Sequence, residues 1–213
     1  MNIQKKLDTL FNQWKDTHDI YINETDLSEL PELTNFTMDG ISGKDETAYV
    51  NADIKVLYVL VESNVGKDCK HFRINDYFWF REQVVNNGKH IIPARIQFVQ
   101  ENITGRPADL NAVAYMNLNK CGGGCSRNFK KLRNYVRLPK IKEHIKEEIE
   151  ILEPDLIVCF GKGVDDLVKE ILGETHALYK KILPLRHPSC RNSSDDYEIM
   201  FQERWSQIIC KEK

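Results

Sequence analysis

The sequence contains no long hydrophobic run. Its 213 residues are 41% hydrophobic and 29% charged, a composition typical of one globular domain, and no stretch approaches the ~18 apolar residues of a membrane span. Residues 1–18 lack the apolar core and cleavage site of a signal peptide. They read instead as an amphipathic helix, with these apolar residues on one face: Ile3, Leu7, Leu10, Phe11 and Trp14. We therefore expect a monomeric, cytoplasmic protein without membrane contact, whose cysteines are reduced thiols.

The sequence also lacks the glycine-rich motifs of nucleotide-binding proteins. The loop "GGGCS" has no P-loop lysine, and no G-x-G-x-x-G follows the first apolar run. Its three glycines, Gly122, Gly123 and Gly124, let a backbone approach a ligand closely. Lys120 and Arg127 flank them, so the loop suits a nucleic-acid phosphate. A plain flexible turn is the alternative that the loop alone leaves open.

The cysteine pattern is incomplete as a metal site. Cys121 and Cys125 have a spacing that zinc tolerates, but no second Cys/His pair lies at a suitable distance. Cys159 lies within an apolar run and is most simply a small buried residue. We therefore expect neither a metal nor another cofactor.

Acidic residues are missing between positions 110 and 142. That stretch holds eight basic side chains, whereas a solvated helix face usually mixes the two signs, so it suggests an anionic partner. A merely solvated face remains the other interpretation. The eight are Lys120, Arg127, Lys130, Lys131, Arg133, Arg137, Lys140 and Lys142.

Four short apolar runs predict the strands of a parallel sheet. Helical patterns lie between them, and alternation of strands and helices indicates βαβ units. The fold class is therefore α/β, a three-layer α/β/α sandwich around a central four-stranded parallel sheet. Residues 23–52 show no clear periodicity and are predicted to be an irregular surface segment. The predicted strands are 55–61, 112–118, 155–160 and 180–185, and the predicted helices are 73–85, 93–103, 138–154, 162–173 and 195–213.

Polar residues follow all four predicted strands. The strand ends lead into "ESN", "NKCGGG", "GKG" and "RHPS". In open α/β sheets the ligand crevice lies outside the carboxyl ends of the strands, so a carboxylate, asparagines, glycines and His187 should meet at one edge. Pro188 forces a turn directly after the histidine, which should project from the end of a buried strand.

These motifs, in this order, resemble those of the uracil-DNA glycosylase superfamily. The likeness rests on "YMNLNKCGGG", "IEILEPDLIVCFGK" and "LRHPS", and it is nearest to a bacterial branch whose first motif is E-S-N. It covers roughly residues 54–210. Residues 1–213 are then one glycosylase-like domain, with 1–53 as an N-terminal helical and irregular extension.

The resemblance implies roles for individual residues. Glu62 or Asn64 would hold the attacking water, with Ser63 between them near the base. Asn117 would read the flipped base through its amide, with Asn119 as the competing candidate, and His187 would face a base oxygen. Phe72 would stack on the base. Alternative candidates for this stacking are Tyr77, Phe78 and Trp79. The residues expected on DNA phosphates or in the minor groove are Lys120, Gly122, Gly123, Gly124, Arg127, Lys130, Arg133, Ser189 and Arg191.

The implied activity is hydrolysis of the N-glycosidic bond of uracil or a modified base in DNA. The alternatives are a non-catalytic protein of the same fold that binds single-stranded nucleic acid or a nucleotide, and a defence glycosylase that acts on modified phage bases. Release of a base would separate the enzyme from the binding protein.

Overall fold

The computed structural model of the protein describes residues 2–24, 35–43, 46–62, 91–122 and 129–210. The strands are β1 (Asn35–Phe36), β2 (Gly40–Ile41), β3 (Val56–Glu62), β4 (Val113–Asn119), β5 (Cys121–Gly122), β6 (Leu156–Phe160) and β7 (Ile182–Leu185). The α-helices are α1 (Ile3–Glu24), α2 (Thr47–Val50), α3 (Ile91–Thr104), α4 (Phe129–Val136), α5 (Pro139–Leu152), α6 (Val164–Leu172) and α7 (Ser194–Ile209), and a 3-10 turn spans Ala177–Lys180. Among these described helices none is long and apolar enough to cross a bilayer.

The main sheet has five strands in the order β2-β4-β3-β6-β7. The four predicted strands are confirmed and run parallel to one another. The predicted number of strands is wrong by one, because β2 pairs antiparallel with β4 at the sheet edge. A two-residue strand is too short to show alternation in the sequence.

Side chains alternate between two apolar layers, as a sandwich requires. On β4, Ala114, Met116 and Leu118 face the layer formed with α1, α4, α5 and α6. Val113 and Tyr115 face the layer formed with α3 and α7. This arrangement confirms the three-layer α/β/α architecture.

The N-terminal segment is part of the core. Leu7, Phe11 and Trp14 on α1 are fully buried, and α1 packs against α5. Phe36 and Ile41 are buried in the same layer. The prediction of an irregular surface segment over 23–52 is therefore wrong for its described residues, because β1, β2 and α2 cover the edge of the sheet beside β4.

Candidate active site

The carboxyl ends of the parallel strands form one edge, as predicted. Glu62, the last residue of β3, is in register with Asn119, the last residue of β4. β7 lies two strands away from β3, which corresponds to about 10 Å at ordinary strand spacing. The end of β4 and the loop after β7 therefore lie on opposite sides of the end of β3.

His187 follows the end of β7 and is half-buried. Its Nδ1 accepts the backbone N–H of Ser189 at 3.2 Å and lies 2.6 Å from the Ser189 hydroxyl oxygen. A backbone N–H can only donate, so Nδ1 carries no proton and the Ser189 hydroxyl also donates to it. The neutral imidazole consequently carries its proton on Nε2. Ser189 thus orients the histidine, a role that the sequence did not indicate.

Asn117 is buried beneath this edge and is held by Asp39. Its backbone N–H donates to Asp39 Oδ2 at 2.5 Å, and its Nδ2 donates to Asp39 Oδ1 at 3.2 Å. A carboxylate accepts only, so the amide nitrogen faces Asp39 and the orientation of the Asn117 amide is defined. Asn119 lies two residues further along the same face and is equally buried. Sequence analysis missed Asp39 because it lies in a segment without periodicity.

Lys120 is not a surface residue, and the prediction that it binds phosphate is wrong. It is fully buried, and its Nζ lies 2.5 Å from Asp39 Oδ2 and 2.9 Å from Glu148 Oε1. Glu148 Oε2 lies 2.7 Å from the same nitrogen, without hydrogen-bond geometry. The rings of Phe11 and Trp14 flank the ammonium. Alternation along the chain explains this, since Lys120 falls on the face opposite to the two asparagines.

Glu148 makes the stability of the fold depend on pH. Burial raises the pKa of its carboxyl from 4.5 to about 8, against the opposing effect of Lys120. The folded state then holds a proton that the unfolded state releases, so the stabilisation is lost as the pH rises from about 4.5 to about 8. We expect wild type to lose about 2 kcal/mol of unfolding free energy between about pH 6 and pH 8, and Glu148→Gln to lose little.

Urea unfolding at several pH values tests this prediction. Glu147→Gln is the matched control, because Glu147 is the exposed neighbour on the same helix and should keep the pH dependence of wild type. Equal pH dependence in wild type and Glu148→Gln would contradict the assignment of the titration to Glu148.

The rest of the basic stretch is partly neutralised. Arg137 forms a bidentate pair with Glu170 at 2.7 and 2.8 Å and lowers the pKa of that carboxyl. Lys140 pairs with Glu143 at 2.6 Å. Lys130 and Arg133 are exposed on α4, which begins close to the carboxyl edge of β6. The stretch is therefore not one continuous basic surface, and α4 carries its most accessible predicted DNA contacts.

Glycine is required in the turn after β6. Gly161 and Gly163 have φ angles of 118° and 81°, in the left-handed region. A Cβ at position 163 would also lie 2.9 Å from the Phe129 ring. The glycine thus permits the start of α4 to pack beside the turn between β6 and α6.

Several predicted site residues lie outside the described residues: Ser63, Asn64, Phe72, Gly123, Gly124 and Arg127, together with Tyr77, Phe78, Trp79 and Cys125. Glu62 and Gly122 are placed by their backbones in β3 and β5. Arg191 is exposed in the loop after β7. Within the described ranges, no group of three or more His, Cys, Asp or Glu side chains could hold a metal ion.

Comparison with known families gives a match over residues 110–209, to the model of the uracil DNA glycosylase superfamily. The matched segment, just under half of the chain, is similar to this superfamily. The superfamily segment runs from just before β4 to the end of α7 and contains both Asn117 and His187. Asp39 and β3 precede that segment. A comparison with curated proteins finds no match.

Proposed function

We propose that the protein is a DNA glycosylase that hydrolyses the N-glycosidic bond of a flipped-out uracil or modified base and leaves an abasic site. The observation that carries the proposal is the state of His187. Its Nδ1 is occupied as an acceptor by the Ser189 amide, so the ring carries its N–H on Nε2, just after a strand end within the segment that matches the uracil DNA glycosylase superfamily. A stacked base cannot be reached, so the nucleotide must first leave the duplex.

The histidine would stabilise the leaving base. As the glycosidic bond stretches, negative charge develops on the base and positive charge on the sugar. A neutral Nε2–H aimed at the base carbonyl stabilises this developing anion and needs no reorganisation at the moment of reaction. One such preorganised donor contributes about 3 kcal/mol, or roughly a hundredfold in rate.

Asn117 would select the base. With its nitrogen held by Asp39, the amide presents its carbonyl oxygen in one orientation as an acceptor. A uracil-like edge offers a ring N–H to that acceptor, whereas cytosine has an unprotonated ring nitrogen there and an amino donor beside it. Asn119 is the second candidate for this contact.

The first motif would supply the water. In our proposal Glu62 or Asn64 orients the nucleophile, and the Glu62 carboxylate offsets the cationic sugar. Ser63 and Phe72 would complete the base pocket. This part of the proposal rests on the resemblance of "ESN" to the first motif of the superfamily and on the register of Glu62 with Asn119.

The proposal is tested with a panel of labelled oligonucleotides that carry uracil or a modified base at one position. We expect at least one of them to become alkali-labile at that position after incubation, because abasic sites break in alkali. A protein that retards the oligonucleotides but leaves every one alkali-stable would be the binding protein of the alternative interpretation.

We expect charge reversal at Lys130 and Arg133 to weaken DNA binding equally for all sequences. Both side chains are exposed on α4, and phosphate contacts carry no sequence information. Each lost contact should also reduce the log–log salt slope by about one. The measurement is a fluorescence-anisotropy titration at several salt concentrations.

The matched control reverses Arg106 and Lys180, which are exposed near the amino ends of β4 and β7. The net charge changes equally, but the affinity and its salt dependence should stay close to those of wild type. If the two double variants behave alike, α4 makes no specific phosphate contact.

A further inference from the structure

Arg95 on α3 is a buried cation surrounded by main-chain carbonyl groups. Only 5% of the residue is exposed. Its Nη1 donates to the carbonyls of Pro188 at 2.9 Å and Cys190 at 2.8 Å. Its Nη2 donates to the carbonyl of Asn192 at 2.6 Å and lies 3.4 Å from that of Ser193. The guanidinium also stacks over the ring of Tyr197, 4.4 Å from its centroid.

These carbonyls belong to the loop that carries His187. Residues 186–193 connect β7 to α7 without regular secondary structure, so their inward carbonyls need donors from elsewhere. The planar guanidinium supplies them in a fixed fork. The path of the loop is thus arranged around one side chain from a different element.

One peptide unit connects Arg95 to the histidine ring. The carbonyl of Pro188 accepts from Arg95, and the N–H of the same peptide unit, that of Ser189, donates to His187 Nδ1. The peptide is planar and trans, so its C=O and N–H point in opposite directions. When Arg95 holds the Pro188 oxygen, the direction of the Ser189 N–H is fixed as well. Nδ1 of His187 must then be the acceptor of that N–H.

We propose that Arg95 is a positioning residue for the reaction, which holds His187 in its Nε2–H tautomer through the Pro188–Ser189 peptide. The catalytic role of Arg95 in this inference rests on the proposed function. The tautomer of His187, however, can be measured without any substrate. Lysine cannot replace the arginine, because a single ammonium group cannot bond carbonyls spread over residues 188–193.

The test compares wild type with Arg95→Lys by two-bond ¹H–¹⁵N correlation of the imidazole nitrogens in the free protein. Wild type should show an unprotonated Nδ1 and a protonated Nε2, and Arg95→Lys a mixture of tautomers. Single-turnover base release by the variant should fall about tenfold to a hundredfold, as misplacement of a catalytic group does, while the DNA dissociation constant changes little.

Val99→Ala is the stability control. Val99 is fully buried on the same helix, and its truncation should lower the melting temperature but leave the tautomer and the rate per folded molecule unchanged. Tyr197→Leu is the second variant in case Arg95→Lys does not fold. It keeps the arginine but removes the ring beneath it, and it should shift the tautomer in the same direction by less.

The experiment distinguishes failure of the Arg95 proposal from failure of the glycosylase proposal. An unchanged Nε2–H tautomer and an unchanged rate in Arg95→Lys would overturn the role of Arg95. A tautomer shift in a protein whose wild type releases no base would support the positioning by Arg95 and overturn the glycosylase.

Discussion

His187→Ala should release the base at least about a hundredfold more slowly than wild type, the scale of one preorganised donor. The substitution removes the only ring nitrogen that the geometry makes a donor, because Nδ1 is occupied by the Ser189 amide. The rate must be measured in a single turnover, so that product release does not hide the chemical step. DNA affinity should change little, since the donor acts on charge that develops only in the transition state.

The melting temperature of the same variant separates this account from a structural one. His187 is half-buried in a loop and is not part of either apolar layer, so its truncation should cost little stability. If the melting temperature falls and the rate per folded molecule is that of wild type, His187 is a structural histidine.

Lys120→Ala should lower the unfolding free energy by about 3–5 kcal/mol, which is the usual effect of removing one partner from a buried ion pair. The substitution leaves Asp39 without the cation that now compensates it and opens a space between Phe11 and Trp14. Because Asp39 also orients the Asn117 amide, base release should fall as well. Urea unfolding measures the loss of stability.

The control for Lys120 is Lys130→Ala. Lys130 is exposed on α4, and its substitution should change the unfolding free energy by no more than about 0.5 kcal/mol. A Lys120→Ala protein as stable as Lys130→Ala, with weaker DNA binding, would contradict the burial of Lys120 and restore the phosphate contact that the sequence suggested.

The strands were predictable as short apolar runs, and the long helices because their apolar residues repeat with the helical period. The helix 138–154 is one example, observed as Pro139–Leu152 with its apolar residues at 141, 145, 149 and 152 buried. Gly173 ends α6 as expected, at a φ of 78°. Cys159 is buried in β6, as expected. Local sequence pattern was sufficient for each of these.

The charges inside the apolar layers were harder to interpret. Glu148 lies on the apolar stripe of α5, beside Ile145 and Ile149, and Arg95 lies on that of α3, beside Ile96 and Val99. A charge on such a stripe indicates a buried partner. The partners lie far away in the sequence, Lys120 for Glu148 and the 188–193 carbonyls for Arg95, so the sequence could not identify them.

The basic stretch was misinterpreted for a related reason. Counting charges along the chain treats all eight residues as one surface, but burial and pairing are decided by the strand face and by the neighbouring helix. Lys120 falls on the inner face after β4, and Arg137 meets Glu170 of α6. The residues expected on DNA have to be selected by exposure, which the sequence does not report.

The most direct test of the central claim is mass spectrometry of oligonucleotides after incubation with the protein. Hydrolysis of the glycosidic bond replaces one base by a hydroxyl group, so the account predicts an intact strand of correspondingly lower mass and an equimolar amount of the free base. Unchanged masses for uracil and for every modified base tested, at protein concentrations that bind the DNA fully, would contradict it.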